Sequence, residues 1–224
     1  MSAQGFSRPL MAEFLGTATL LAVVVGSGIM GERLAVGNTA IALLANSLAT
    51  AGGLFVLISI FAPLSGAHFN PLVSIAERVA GRQCTRLTAT YVAVQIAGAL
   101  VGVLIAHAMF DVPLLQASTK VRTGAAQWIA EGVASFGLLL VIGLSARETA
   151  ATVAARVACY IGAAYWFTAS TSFANPAVTL ARAFTGSFAG IRIDDVPMFV
   201  LAQCVGAACG VMAARRLESH STTS

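Results

Sequence analysis

The chain has 224 residues, of which 58% are hydrophobic and 10% are charged, and its mean hydropathy is +0.85. A soluble domain carries about 25% charged residues, so this composition excludes an ordinary cytosolic enzyme and a disordered chain. The 13 Lys and Arg residues stand against 9 Asp and Glu and form no basic cluster, which also excludes a nucleic-acid-binding protein. The composition indicates a membrane protein.

Six apolar runs are long enough to cross a membrane as helices, each of which needs about 20 residues. Two of these runs are longer than one span requires, and the fourth contains a single charge, Glu131. In chain order the runs cover residues 14–31, 34–76, 87–110, 123–146, 157–181 and 196–214. If the N-terminus is cytoplasmic, eight Lys and Arg residues lie inside and five outside. This distribution predicts that both termini are cytoplasmic.

The two halves of the chain repeat each other. The Asn-Pro-Leu-Val-Ser-Ile-Ala of residues 70–76 recurs as Asn-Pro-Ala-Val-Thr-Leu-Ala in residues 175–181. Gln95 and the four residues after it recur at Gln203, and the Glu13 before the first run matches Glu131. Each half, 10–110 and 126–216, holds three spans, so the second half must be inverted in the membrane. Residues 1–224 are therefore predicted to form one domain, with a site near the midplane where the halves meet.

The Asn-Pro segments account for the two long runs. Proline is favoured at the first position of a helix, and asparagine is a good residue directly before it. Asn70-Pro71 and Asn175-Pro176 therefore predict two short helices of about ten residues that begin at membrane depth and meet at their N-termini. Irregular backbone at that depth is tolerated only where it is buried in protein or lines a wet cavity, and a cavity is the simplest reason for this arrangement.

These segments resemble the aquaporin, or major intrinsic protein, superfamily. The resemblance covers roughly residues 10–216. It rests on the Ser-Gly-Ala-His-Phe-Asn-Pro of residues 65–71, the second Asn-Pro-Ala at 175–177, the Ala-Glu-Phe-Leu-Gly-Thr of 12–17, and Tyr91 with Gln95 and Gly98. It implies an all-α membrane fold of six transmembrane helices plus two half-membrane helices in a 3+3 inverted repeat. It also implies a homotetramer in the lipid bilayer, with one pore in each subunit.

The resemblance also assigns residue roles. Asn70 and Asn175 would donate side-chain N–H groups to the solute, and the half-helix dipoles would repel cations at the pore centre. Glu13 and Glu131 would hold the loops that lead into the half-helices. The two boxes are completed by Pro71, Leu72, Pro176 and Ala177, and the pore-lining carbonyls would be those of Gly66, Ala67, His68, Thr171, Ser172 and Phe173.

The chain departs from the family pattern at the selectivity filter. Val178 stands where most members carry an arginine, and counting along the family register places the other ring positions at Thr50, Ala163 and Ser172. These four residues are small or medium in size and uncharged, so the ring is expected to be wider than one that contains arginine. Arg182 follows Val178 by one helical turn. It is interpreted as a helix-end or loop charge, with a role in the filter as the alternative.

This combination resembles a subgroup of rhizobial aquaglyceroporin-like channels associated with arsenic resistance. The subgroup implies a passive channel in the bacterial plasma membrane for small neutral solutes: trivalent arsenicals, glycerol-like polyols and water. The alternatives are a water-selective or glycerol-only aquaporin and a proton-coupled transporter that uses Glu13 or Glu131. A membrane enzyme is the weakest reading, because no catalytic triad or metal-ligand spacing occurs. No cofactor or metal is expected.

Overall fold

The computed structural model describes the backbone of residues 3–221 and the side chains of residues 7–218. The described chain is helical, with no strand, and six of its helices are long and apolar enough to cross a membrane. The six predicted spans are therefore confirmed. The first half contains α1 (Ala3–Leu34), α2 (Thr39–Ser65), α3 (Pro71–Val79) and α4 (Thr85–Met109). The second half contains α5 (Ala125–Leu144), α6 (Ala150–Phe167), α7 (Pro176–Ala181) and α8 (Val196–Ser221).

Close packing of glycines joins the outer helices of each half. A Cβ atom on Gly98 of α4 would come within 2.5 Å of the Phe14 carbonyl oxygen of α1. In the second half, a Cβ on Gly206 of α8 would come within 2.0 Å of the Gly132 carbonyl oxygen of α5. Gly102 and Gly210, one turn further along, make equally close approaches. Within a membrane the hydrophobic effect does not drive helices together, and these Gly-x-x-x-Gly contacts let the helix backbones pack closely. The contacts occupy matched positions of the repeat.

The half-membrane helices α3 and α7 begin as the sequence predicts. Asn70 and Asn175 are extended residues directly before each helix. The side-chain oxygen of Asn70 accepts the Leu72 N–H, and that of Asn175 accepts the Ala177 and Val178 N–H groups. A proline follows in both cases at the first helical position. The helix α7 has only six residues and continues as a 3-10 turn over Arg182–Phe184, so it is shorter than the predicted ten. After α7 the chain turns back on itself, and the Arg182 carbonyl accepts the Ile191 N–H.

The helix α6 starts earlier than its apolar run. The run begins at residue 157, whereas the helix begins at Ala150, where the Thr149 side chain accepts the Thr152 N–H. This first part of α6 carries Arg156, which pairs with Glu148 at an exposed end of the helix. A charged residue marks the end of an apolar run, but helix initiation depends on the capping group that satisfies the free N–H groups.

Candidate functional site: a cavity between the two half-helices

The two boxes are tied to each other across the repeat. Asn70 Nδ2 donates to the Ala174 carbonyl at 2.8 Å, and Asn175 Nδ2 donates to the Phe69 carbonyl at 2.8 Å. Each asparagine also caps its own half-helix through Oδ1. The N-termini of α3 and α7 therefore meet, and both asparagines line a common cavity.

The segments that enter the half-helices adopt strained backbone conformations. Ala67 and Phe69 in the first half, and Ser172 and Ala174 in the second, have φ angles between 46° and 50°. Non-glycine residues rarely occupy this left-handed region, which costs free energy unless neighbouring groups hold it. Left-handed residues interspersed with ordinary ones change the direction in which successive peptide groups point. Carbonyls can then face the cavity while N–H groups face the protein.

Two buried carboxylates satisfy those N–H groups. Glu13 accepts the His68 and Phe69 N–H groups at 2.9 and 2.7 Å, and it also accepts the Ser65 hydroxyl and the Gln95 amide. The carboxylate of Glu13 and that of its counterpart Glu131 are both fully buried.

Glu131 makes the matching contacts in the second half. It accepts the Phe173 and Ala174 N–H groups, both at 2.9 Å, and the Gln203 amide at 2.6 Å. The paired carboxylates are thus fixed to the two entry segments.

The sequence analysis did not assign Gln95 and Gln203 to the site, but each makes a contact there. Gln95 Nε2 donates to Ser74 Oγ at 2.9 Å, and Gln203 Nε2 donates to Thr179 Oγ1 at 2.7 Å. Each glutamine therefore links a buried carboxylate to the first turn of a half-helix. The signal was present in the repeat, because both glutamines and both hydroxyl residues stand at matched positions.

Residues from both halves line the cavity. Its wall includes four of the residues predicted to line the pore with their carbonyls: Gly66, Ala67, His68 and Phe173. It also includes three of the four predicted filter residues, namely Thr50, Ser172 and Val178. Thr171 is not among the residues of this wall, and its N–H donates to the Thr168 carbonyl in a turn, so the role of its carbonyl stays a prediction. The box residues Pro71, Leu72 and Ala177 are buried, Pro176 is half-buried, and Leu72 and Ala177 pack in the main apolar core.

The filter assignment of Ala163 is wrong. Ala163 is exposed on the outer side of α6, and Tyr165 lines the cavity instead. The hydroxyl of Tyr165 lies 3.2 Å from Thr50 Oγ1. Each residue turns an α-helix by about 100°, so a shift of two positions carries a side chain from one side to the other. The cavity wall therefore contains a tyrosine that the sequence count did not predict.

Arg182 does not behave as an ordinary loop charge. It stands directly after α7, at the helix end as interpreted, but its side chain is 1% exposed and belongs to the cavity wall instead of facing solvent. The guanidinium carbon lies 3.4 Å from the centroid of the Phe173 ring, and Nε donates to the Ala189 carbonyl. Burial of an arginine at this depth places a cation in the wall that was expected to be uncharged.

Two further cations stand at the same end of the cavity, in the segment between α4 and α5. Arg122 donates to the Ser170 and Gly190 carbonyls and lies 4.9 Å from the Phe173 ring centroid, on which Arg182 also stacks. Lys120 donates to the Phe188 carbonyl at 2.7 Å. Burial, reinforced by the nearby arginines, lowers the pKa of Lys120 to about 8, and burial lowers the pKa of Arg122 to about 10.

The comparisons with known proteins agree with this geometry. A family model described as Major intrinsic protein matches residues 1–168. The chain belongs to the major intrinsic protein family. It is 54% identical over 211 residues to Aquaglyceroporin AqpS of Rhizobium meliloti (strain 1021), a match that covers 94% of this chain and 90% of the relative. It is also 27% identical over 204 residues to probable aquaporin NIP4-2 of Arabidopsis thaliana, covering 87% and 70% of the two chains.

The fold is also similar to that of a solved member. The X-ray structure of the aquaglyceroporin from Plasmodium falciparum matches with a TM-score of 0.69 at 21% identity, over 92% of this chain and 94% of that one. Members of this family are multi-pass membrane channels that pass small neutral solutes, and they are not enzymes. The present chain is therefore a channel protein, and the fold expected from the resemblance is confirmed.

Proposed function

We propose that this chain is a passive channel for trivalent arsenicals (arsenous acid and its methylated forms), for polyols such as glycerol, and for water. The observation that carries the proposal is Val178, which is buried in the cavity wall at the position where the family pattern has an arginine. Valine leaves more room there than arginine and presents a methyl surface, which reduces the cost of passage for a bulky solute. The rhizobial relative, an aquaglyceroporin by name, supports a polyol among the solutes.

The polar groups of the ring fit a solute that carries several hydroxyls. Ser172 Oγ is buried with no hydrogen-bond partner in the described part of the chain, and it belongs to the cavity wall. The hydroxyls of Thr50 and Tyr165 pair with each other across the same wall. Arsenous acid is neutral at physiological pH and presents three hydroxyls, as glycerol does. Such a solute can exchange its hydration shell for these groups.

The two asparagines would provide the donors at the centre of the pore. A primary amide has two N–H groups, and each asparagine uses one of them on the opposite entry segment. The second N–H remains for the oxygen of a passing solute. The carbonyls of the strained segments would supply acceptors on the same path, so that donors and acceptors both line it.

The arrangement of the carboxylates argues against proton-coupled transport. Glu13 lies next to the first box in space, although it is distant along the chain. It accepts four hydrogen bonds, and Glu131 accepts three. In both halves the carboxylate binds two successive backbone N–H groups of an entry segment and a buried glutamine amide, which are the contacts of a group that holds backbone in place. We therefore assign both carboxylates to holding the entry segments.

The assembly follows the family pattern in this proposal. Residues 1–224 form one channel domain from the two repeat halves, with both termini in the cytoplasm and the protein in the bacterial plasma membrane. The excess of eight Lys and Arg residues over five supports this orientation. We expect a homotetramer with one pore in each subunit.

Replacement of Val178 tests the proposed filter. In proteoliposomes, Val178→Arg should reduce the flux of arsenous acid and glycerol more than the flux of water, because the longer cationic side chain narrows the ring. Val178→Leu is the matched control: it adds bulk without charge and should retain most of the flux. Unchanged passage of the larger solutes through the Val178→Arg variant would contradict the assignment. Uphill accumulation driven by a proton gradient would instead favour coupled transport.

A further inference from the structure

We infer that Arg182 supplies to the filter the cation that is missing at position 178. The inference rests on the proposed function, since it concerns the selectivity of the same pore. In this arrangement the ring is widened at Val178 but keeps a positive charge from the following turn. The channel would then admit bulkier neutral solutes and still reject cations and protons.

The position of Arg182 brings its charge to the wall that Val178 helps to form. Both residues line the same cavity, together with Ser172 and Tyr165. The side chain is held by the Phe173 ring, at 3.4 Å from guanidinium carbon to ring centroid, and by the Ala189 carbonyl that accepts from Nε. Phe173 is itself fixed through its N–H to Glu131. The guanidinium is therefore oriented by contacts on its face and at one nitrogen.

The remaining nitrogens of Arg182 have no protein acceptor. Within the described residues, neither Nη1 nor Nη2 forms a hydrogen bond, and Arg182 takes part in no ion pair. The carboxylate of Glu131 is engaged by two backbone N–H groups and the Gln203 amide. Burying an unpaired charge costs free energy, and a merely structural residue would need its donors satisfied. Because Arg182 belongs to the cavity wall, water or solute in the pore can accept hydrogen bonds from these nitrogens.

The consequence is a separation of two properties of the filter. Width is set by the side chain at position 178, whereas charge exclusion is set by the side chain at position 182. A fixed guanidinium in a pore wall raises the energy of a passing cation, as arginine does in water channels. Its free N–H groups can meanwhile donate to the hydroxyl oxygens of a neutral solute.

The test compares two arginines that anchor the same loops. Arg182→Gln is reconstituted as the full chain in proteoliposomes. Its proton flux, followed by an enclosed pH dye, and its methylammonium uptake should each rise by about tenfold or more. Arg182→Lys should stay tight, because it keeps the charge. Arg122→Gln is the matched control: Arg122 also stacks on Phe173 and binds loop carbonyls, but it does not line the cavity. It should stay tight as well.

The outcomes are distinct. A proton-tight Arg182→Gln variant that still passes glycerol would overturn the inference, and so would equal leaks in Arg182→Gln and Arg122→Gln, which would reflect loosened loops. Absence of glycerol flux in the unmodified protein would instead contradict the proposed function. If Arg182→Gln does not fold, Arg182→His provides the reading. Its leak should be low at pH 5.5 and rise by pH 8, as the imidazole loses its charge. A leak independent of pH would overturn the inference.

Discussion

Asn70 and Asn175 each hold the segment that leads into the other. The side-chain nitrogen of Asn70 donates to the residue before Asn175, and the side-chain nitrogen of Asn175 donates to the residue before Asn70, both at 2.8 Å. The two half-helices are therefore fixed as a pair, and neither asparagine amide can move independently of the other. This relationship makes the asparagine amides a sensitive point of the channel.

Asn175→Asp should strongly reduce solute flux. Aspartate caps a helix as well as asparagine does, but it cannot donate to the Phe69 carbonyl or to a solute. Stopped-flow measurements of glycerol entry would follow the loss. Asn38→Asp is the control, because Asn38 caps α2 through the same type of contacts away from the cavity. Retention of full flux by the Asn175→Asp variant would show that this amide does not serve as a donor.

Glu131→Gln should lower the stability of the protein. Each carboxylate oxygen of Glu131 accepts at least one N–H, so an amide nitrogen in either place would face a donor. A buried donor left without an acceptor costs about 1–3 kcal/mol. Thermal unfolding in detergent measures the effect. Glu148→Gln, in an exposed ion pair with Arg156, should cost less than about 1 kcal/mol. Equal melting temperatures for the two variants would contradict the holding role.

Gly206→Ala should separate α5 from α8. The added Cβ would lie 2.0 Å from the Gly132 carbonyl oxygen, so the helix backbones must move apart, at a cost of about 1–3 kcal/mol. Gly52→Ala offers a comparison within α2. A Cβ there meets no atom within 4 Å, and alanine should stabilise the helix by up to about 1 kcal/mol. Unfolding temperatures of the purified variants would distinguish these effects. A Gly206→Ala variant as stable as Gly52→Ala would contradict the helix contact.

Lys120 should react as a nucleophile at unusually low pH. It is the single lysine of the chain, and its pKa is lowered from 10.5 to about 8, mainly by burial. A lowered pKa means that the neutral, reactive amine is already half-populated near pH 8. Acylation of Lys120 followed by mass spectrometry across pH 6–11 should therefore have its midpoint near 8. A midpoint above 10 would mean that Lys120 is as solvated as an ordinary surface lysine.

The sequence predicted the features that repeat. Matched Asn-Pro boxes, matched Glu13 and Glu131, and the apolar runs together determined the inverted fold, because each depends on short segments that are recognisable by themselves. The starts of α3 and α7 followed from local capping chemistry.

The cavity wall could be predicted only in part. Counting a fixed number of residues back from Asn175 assumes a fixed connection, and the last residue of α6 in the wall is Tyr165, whereas Ala163 is not part of it. The burial of Arg182 was equally hidden. It depends on the Phe173 ring and the Ala189 carbonyl, which only the tertiary fold brings to Arg182. No local sequence pattern predicts these contacts.

The most direct test of the central claim is a side-by-side permeability measurement on the unmodified protein. Stopped-flow experiments on proteoliposomes would compare water, glycerol and arsenous acid under the same gradients. We expect glycerol and arsenous acid both to enter faster than into protein-free vesicles, down their gradients and without saturation. Fast water flux with both larger solutes excluded would contradict it. That result would mean that the proposed ring of Thr50, Tyr165, Ser172 and Val178 is too narrow for them.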